Sequence, residues 1–130
     1  MDHIQGMAVR LAPVSYTHLQ IVEVEALARW TNEDNEPVSP DDFIKVAEER
    51  GFVGKITRLV VRHVLRDFGK TLRERPGFRV NVNIAAADLA DPEFLPMLEG
   101  ALAEAGVAAS SLGIEITESY TCLLYTSRCV

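Results

Sequence analysis

Three short segments of the chain alternate apolar and oxygen-bearing side chains, and this alternation constrains the fold more than any other feature. They cover residues 21–26, 78–84 and 112–117. Alternation with a period of two is typical of β-strands that bury one face. Because helical patterns separate the three segments, the strands are expected to pair in parallel through β–α–β connections. The sequence therefore predicts the α/β class.

Three helices are predicted between these strands. The first begins after Ser39, whose hydroxyl can cap it, and ends at Gly51. The second covers residues 55–73, where apolar side chains recur every three or four positions. His63 lies on that apolar face and is expected to pack there rather than to bind a ligand. The third begins near residues 91–93 and ends at Gly106.

The predicted strands carry a candidate site, because each places its oxygen-bearing side chains opposite its apolar ones. Nearest to the carboxyl ends are Glu25, Asn83 and Glu115. Ligands of α/β proteins bind at that edge, and two carboxylates with an amide oxygen suit Mg²⁺ or Mn²⁺. Such ions promote phosphate ester chemistry. Periodicity alone leaves an alternative open, in which these faces contact solvent in a one-sided antiparallel sheet.

Composition and charge exclude several classes of protein. The chain has 130 residues, of which 48% are hydrophobic, and a net charge of −6. Its basic residues are scattered, which argues against a nonspecific nucleic-acid binder. No apolar run approaches the roughly 20 residues that span a bilayer, and the first residues lack the pattern of a signal peptide. We therefore expect a soluble, cytoplasmic chain with no membrane segment.

Both ends of the chain match translations of one DNA string, TGTCTCTTATACACATCT, a transposon end used in sequencing libraries. One frame gives residues 122–127, a shifted frame gives residues 14–19, and the inverted copy gives residues 128–130 and a stop. We therefore interpret residues 1–19 as an unassigned, partly adapter-derived segment, residues 20–120 as the native domain, and residues 121–130 as an adapter-derived tail. No element is predicted for residues 1–13.

Four ordered motifs make residues 20–120 similar to a known family. Residues 25–30 have the sequence EALARW and residues 80–83 have the sequence VNVN. Residues 38–48 begin with VSP and end with AE, and residues 114–119 have the sequence IEITES. These motifs resemble the EAL domain, a bacterial module that hydrolyses cyclic di-GMP. The resemblance covers residues 20–120, but only about the first half of an EAL domain.

The resemblance implies an incomplete TIM-type (β/α) barrel with about three strands and three helices. It implies that Glu25, Asn83 and Glu115 coordinate divalent metal, Mg²⁺ or Mn²⁺, in a two-metal site, and that Glu25 is thereby catalytic. Arg29 matches an arginine that holds substrate phosphate. Glu118 matches a catalytic acid that steadies an active-site loop. Arg29 could instead form a surface ion pair, and Glu118 could be a solvated loop acid.

The family's reaction is metal-assisted hydrolysis, in which two cations activate a water molecule and cyclic di-GMP is opened to linear pGpG. The partner implied for this chain is therefore cyclic di-GMP. The resemblance also allows a parent protein that is a homodimer and has additional sensory or cyclase domains.

Several features depart from the family pattern. Residues 84–89 have the sequence IAAADL where active members usually have Leu/Ile-Ser-Ala-Arg-Gln-Leu, and Lys45 stands where the family favours proline. These changes predict weaker substrate binding. They leave open an alternative, a degenerate EAL module that binds cyclic di-GMP or a protein without catalysis.

Parts of the domain are also expected to be missing, namely the first barrel strand and everything after the third strand. A TIM barrel needs roughly 250 residues to close. Open sheet edges and uncovered faces favour aggregation. We therefore expect the 130-residue chain alone to be inactive and poorly folded.

Overall fold

A computed structural model of the chain describes residues 7–17 and 20–116. In that part of the chain, one sheet contains five strands. In chain order they are β1 (Met7–Thr17), β2 (Gln20–Thr31), β3 (Pro37–Val38), β4 (Arg79–Ile84) and β5 (Leu112–Ile116). The order across the sheet is β1-β2-β4-β5, and the short β3 pairs with β2 beside this path.

The three predicted strands are present as β2, β4 and β5, and they pair in parallel. Val24 of β2 lies opposite Val80 of β4, and Val82 lies opposite Ile114 of β5. Helices connect these strands, which is the arrangement that parallel pairing requires. The predicted α/β class is confirmed.

Four α-helices lie in the described residues, and three of them match the predictions. They are α1 (Pro40–Glu49), α2 (Val53–Glu74), α3 (Ala86–Ala90) and α4 (Phe94–Ala105), and a 3₁₀ turn at Ala109–Ser111 precedes β5. The sequence did not predict α3, a helix of one and a half turns. Within the described ranges, none of the helices has both the length and the apolar character needed to cross a membrane.

The core lies between the sheet and the helices. α2 contributes most of it, and its residues Val61, Val64 and Leu72 are at most 2% exposed. Val80 and Val82 of β4 face them and are also buried. Burying each such side chain contributes about 1.5–3 kcal/mol, so α2 anchors the central strand of the parallel set. His63 is half-buried on α2, as predicted.

α1 packs on the far end of β2 through an aromatic contact. The rings of Trp30 and Phe43 meet edge to face, with centroids 6.0 Å apart. Phe43 is buried, and so is Ala47 one turn later. This contact places α1 beside the carboxyl end of β2, where the candidate site was predicted.

The helix ends follow the sequence signals only in part. Ser39 precedes α1 as predicted, but its side chain makes no capping hydrogen bond. The backbone carbonyl of Ser39 instead accepts the N–H groups of Asp42 and Phe43. Gly106 ends α4 with φ of +67°, a left-handed conformation that glycine adopts without steric cost.

No element is predicted from the sequence for residues 1–13, and β1 corrects this over residues 7–13. The strand pairs antiparallel with β2, with Met7 opposite Trp30 and Leu11 opposite Ala26. Met7, Val9 and Leu11 alternate with exposed or less apolar residues and pack against the core. The strand is stabilised by pairing with another segment, β2, so residues 7–13 alone held only a weak strand signal.

The apolar face of β5 also departs from expectation. Ile114 and Ile116 were expected under the helices, but each is 43% exposed. The corresponding side chains of β4, Val82 and Ile84, are buried beneath α2 and its neighbours. Among the described residues, no element covers the outer part of β5, and its apolar face stays open.

Candidate functional site

The carboxyl ends of the parallel strands bring three predicted site residues together. Asn83 of β4 lies in register with Glu115 of β5. The Asn83 side-chain amide donates a hydrogen bond to Glu25 Oε1 of β2 at 3.0 Å. All three side chains are half-buried at one edge of the sheet. Strand parity alone had selected the same three residues.

A second polar layer lies directly beneath this edge. Asn81 Nδ2 donates to Glu23 Oε1, and Asn81 is only 4% exposed. Asn81 lies opposite Gly113, where an added Cβ would come within 2.0 Å of Asn81 Oδ1. Gly113 is therefore required by close packing, and the sequence analysis did not identify that role. A glycine inside a strand is the signal that indicates such a close approach.

The donor set at the upper layer fits a hard divalent cation. Because Asn83 uses its amide N–H on Glu25, its carbonyl oxygen is the atom that can bind metal. In residues 7–17 and 20–116, no group of three His, Cys, Asp or Glu side chains could hold a metal ion. A metal site here therefore depends on the amide oxygen of Asn83 together with the carboxylates of Glu25 and Glu115. Oxygen donors of these types suit Mg²⁺ and Mn²⁺.

Arg29 lies further along β2, at the wall of a cavity of about 500 Å³ that Asn83 also lines. Its Nη1 donates to the carbonyl oxygen of Ala28 at 3.0 Å. Arg29 is half-buried, and it forms no ion pair with any described residue. Arg29 therefore does not form the surface ion pair considered as the alternative with any described residue. Its guanidinium lies at the same cavity as Asn83, one of the candidate metal ligands.

Residues 84–89, whose sequence differs from the family pattern, have a structural role that the sequence analysis did not identify. Asp88 is 4% exposed, and its Oδ2 accepts hydrogen bonds from Thr57 Oγ1 at 2.8 Å and from the Ala85 N–H at 2.9 Å. The carboxylate therefore satisfies the backbone at the start of α3 and joins it to α2. An acidic residue three positions after Ala85, the first residue after β4, is the signal that could have indicated this cap.

Glu118, the other predicted catalytic residue, lies outside the described residues, as does Thr117 of the predicted third strand. The cysteines of the tail lie outside them as well. The structure thus places four of the predicted site residues. Glu25, Asn83 and Glu115 form one cluster, and Arg29 lies further along β2.

Comparison with known proteins identifies the family. The EAL domain model matches residues 3–128. The chain is 32% identical over 105 residues to the probable cyclic di-GMP phosphodiesterase PdeB of Escherichia coli (strain K12), a match covering 81% of this chain and 20% of PdeB. It is 34% identical over 105 residues to the cyclic di-GMP phosphodiesterase PdeR of the same strain, covering 81% of this chain and 16% of PdeR.

Solved structures agree with the sequence relatives. The PaMucR phosphodiesterase in complex with c-di-GMP matches with a TM-score of 0.80 at 23% identity, over 95% of this chain and 51% of that one. The EAL domain of FimX from Pseudomonas aeruginosa, bound to c-di-GMP, matches with a TM-score of 0.75 at 25% identity, over 94% and 48%. These likenesses confirm the predicted partial TIM-type barrel.

The chain spans about a fifth of the length of PdeB and about half of the PaMucR chain. The family match nevertheless extends over nearly all of its residues, and three of the four motifs that suggested the family contain the clustered residues Glu25, Asn83 and Glu115. The chain therefore belongs to the EAL domain family.

Proposed function

We propose that a full-length protein containing this sequence is a cyclic di-GMP phosphodiesterase that opens its substrate to linear pGpG. The observation that carries the proposal is the cluster of Glu25, Asn83 and Glu115 at the carboxyl edge of three parallel strands. Its relatives PdeB and PdeR are named as cyclic di-GMP phosphodiesterases, which supports the same reaction.

The residues have separate tasks in this proposal. Glu25, Asn83 and Glu115 would hold divalent cations, Mg²⁺ or Mn²⁺, in a two-metal site. Such cations supply an activated water molecule and neutralise phosphodiester charge. Arg29 binds a phosphate oxygen through its planar guanidinium. Glu118 steadies the active-site loop.

The test compares two conservative substitutions on one face of β2. Glu25→Gln removes a carboxylate ligand and is expected to abolish metal-dependent hydrolysis of cyclic di-GMP by the full-length protein. Glu23→Gln lies one layer lower and keeps an oxygen that accepts the Asn81 hydrogen bond, so it is expected to retain activity. Chelation by EDTA should stop hydrolysis by the unsubstituted protein, and added Mg²⁺ or Mn²⁺ should restore it. Equal activity of the two variants would refute the assignment of Glu25.

A second candidate function is binding without hydrolysis. The observation that favours it is the altered run after Asn83, in which Ala87 is exposed where active relatives place an arginine. In that case the full-length protein binds cyclic di-GMP, or a protein partner, and shows no hydrolysis at any metal concentration. Equilibrium binding and a product assay on the same sample separate the two functions.

We also propose that residues 20–120 come from the native gene, and that residues 14–19 and 121–130 come from adapter DNA. The protein is proposed to act in the cytoplasm, with homodimer formation and sensory or cyclase domains as further features of the full-length protein. Sequencing the source DNA across both junctions tests the boundaries. A frame that continues past residue 120 into a paired-aspartate strand supports them, and a genomic copy of residues 122–130 followed by a stop refutes them.

A further inference from the structure

Asn83 lies near the end of β4, just beyond the part of the strand that pairs with β2. The register of β2 with β4 ends where Ala26 lies opposite Val82, one residue before Asn83. Asn83 and Ile84 continue to pair with β5. On the side of β2, the orientation of Asn83 therefore depends on its side-chain hydrogen bond to Glu25 and on the path of the chain after the strand.

Hydrogen bonds between residues 85 and 88 close the turn that follows Asn83. The Ala85 N–H donates to Asp88 Oδ2 at 2.9 Å, and the Ala85 carbonyl oxygen accepts the Asp88 N–H at 3.0 Å. Both residues are buried, with exposed fractions of 1% and 4%. Because Ala85 comes two residues after Asn83, this closed turn fixes the direction in which the backbone leaves the strand.

Thr57 links this turn to the core. Its hydroxyl donates to the same oxygen, Asp88 Oδ2, at 2.8 Å, and Thr57 is buried on α2. Its neighbours on that helix, Ile56 and Val60, belong to the hydrophobic core. One carboxylate oxygen therefore joins the end of β4 to the helix that packs over the sheet.

The sequence of this turn departs from the family pattern at the two positions that form it. Ala85 and Asp88 stand where active members usually have serine and glutamine. Alanine has no side-chain acceptor for the free N–H groups of α3, so the turn depends on the bond that Asp88 makes back to Ala85. A change at Asp88 should therefore be transmitted to the strand end that carries Asn83.

We propose that Asp88 is a positioning residue, which fixes the turn after β4 and thereby holds the Asn83 carbonyl oxygen at the candidate metal site. Mutation of groups that orient metal ligands without touching the metal typically lowers metal affinity by about 10–100-fold. This inference rests on the proposed function, because it takes Asn83 to be a metal ligand. A purely structural role for Asp88 would change stability and leave the metal affinity of the folded protein unchanged.

The experiment is a calorimetric titration of the metal-free full-length protein with Mn²⁺, at a temperature where circular dichroism shows each variant to be folded. Asp88→Ala is expected to weaken Mn²⁺ binding about tenfold. Asp88→Asn keeps an oxygen that can accept both hydrogen bonds, so it is expected to bind Mn²⁺ nearly as tightly as the unsubstituted protein. Because no substrate is present, the measurement does not depend on catalysis.

Leu102→Ala is the matched control for lost stability. Leu102 is buried on α4, a helix that contains none of the predicted site residues, so its truncation destabilises the core and should leave Mn²⁺ affinity unchanged. If Asp88→Ala does not fold, Thr57→Val takes its place, because valine has nearly the same volume and lacks the hydroxyl that donates to Asp88. Thr57→Val is also expected to weaken Mn²⁺ binding.

The unsubstituted protein and Glu25→Gln separate failure of this inference from failure of the proposed function. Suppose that the unsubstituted protein binds Mn²⁺ and that Glu25→Gln weakens this binding. Unchanged affinity in Asp88→Ala, or in Thr57→Val where that variant replaces it, then overturns the positioning role alone. Equal losses in Asp88→Ala and Leu102→Ala, or in Asp88→Ala and Asp88→Asn, overturn it as well. If the unsubstituted protein binds no Mn²⁺, the metal site of the proposed function fails, and this inference fails with it.

Discussion

Asp88→Ala is expected to lower the free energy of unfolding by about 2–3 kcal/mol, although Asp88 is not one of the candidate metal ligands. The substitution removes the acceptor of two hydrogen bonds in a buried position. Loss of a helix-capping acceptor costs about 1 kcal/mol, and loss of a hydrogen bond to a charged group costs about 1.5–3 kcal/mol. The Thr57 hydroxyl keeps a second acceptor, the Val53 carbonyl at 3.2 Å, so its share of the loss is reduced. Within the described ranges, the Ala85 N–H has no such substitute, and Ala85 is 1% exposed.

The assay is urea unfolding of a full-length protein that contains this sequence, followed by circular dichroism. Asp88→Asn keeps an oxygen that can accept the Ala85 N–H, and asparagine caps helices about as well as aspartate. Asp88→Asn should therefore lower the free energy of unfolding by less than Asp88→Ala does. Glu99→Ala is the control, since Glu99 is exposed on α4 and surface changes usually stay within about 0.5 kcal/mol. The reasoning fails if Asp88→Ala is no more destabilising than Glu99→Ala, or if the asparagine variant is as unstable as the alanine variant.

Three further predictions concern packing, charge and the isolated chain. Gly113→Ala places a Cβ within 2.0 Å of Asn81 Oδ1, so it should lower the free energy of unfolding by about 1–3 kcal/mol and lower the Tm. An unchanged Tm would contradict the packing argument. The hydrogen bond from Arg66 lowers the pKa of Asp67, so any stabilisation from this pair is present above the ordinary carboxyl pKa and is lost as pH falls through the lowered value. Because the side chains are 62% and 46% exposed, Asp67→Asn should leave the Tm at pH 7 nearly unchanged, and a drop of several degrees would refute this. The purified 130-residue chain should melt without a cooperative transition and should not hydrolyse cyclic di-GMP, and a cooperative transition with hydrolysis would show that this length suffices.

The strand positions and the three clustered site residues could be predicted from the sequence because both depend on local alternation. Glu25, Asn83 and Glu115 follow apolar neighbours on strands that pair in parallel, and parallel pairing brings carboxyl ends to one edge. The long α2 was predicted for a similar reason, since its apolar stripe repeats over five turns.

The features that sequence analysis missed depend on contacts between distant segments. β1 is stabilised by its register with β2, and α3 is anchored by the Thr57 hydroxyl on another helix. The alternation of Met7, Val9 and Leu11 in β1 is short, and the five residues of α3 are too few to show a helical period. The exposure of Ile114 and Ile116 has the same cause, because alternation predicts which side chains share a face but not what packs over that face.

In the proposed metal site, the three strands would supply only part of the ligand set of a cation. Mg²⁺ requires close to six oxygen ligands in octahedral geometry and keeps several waters when protein donors are few. Glu25, Asn83 and Glu115 supply three side chains on one edge of the sheet, and in the proposed function the cavity at Arg29 would hold the phosphate. A second cation beside the first would need further carboxylates, and residues 7–17 and 20–116 contain no group of three His, Cys, Asp or Glu side chains that could hold a metal ion. Metal affinity should therefore rise sharply between the 130-residue chain and a full-length protein, and Glu25→Gln should lower the affinity of the full-length protein. Isothermal titration with Mn²⁺ on both proteins would measure the difference, and equal affinity would show that these three donors already form the complete protein contribution.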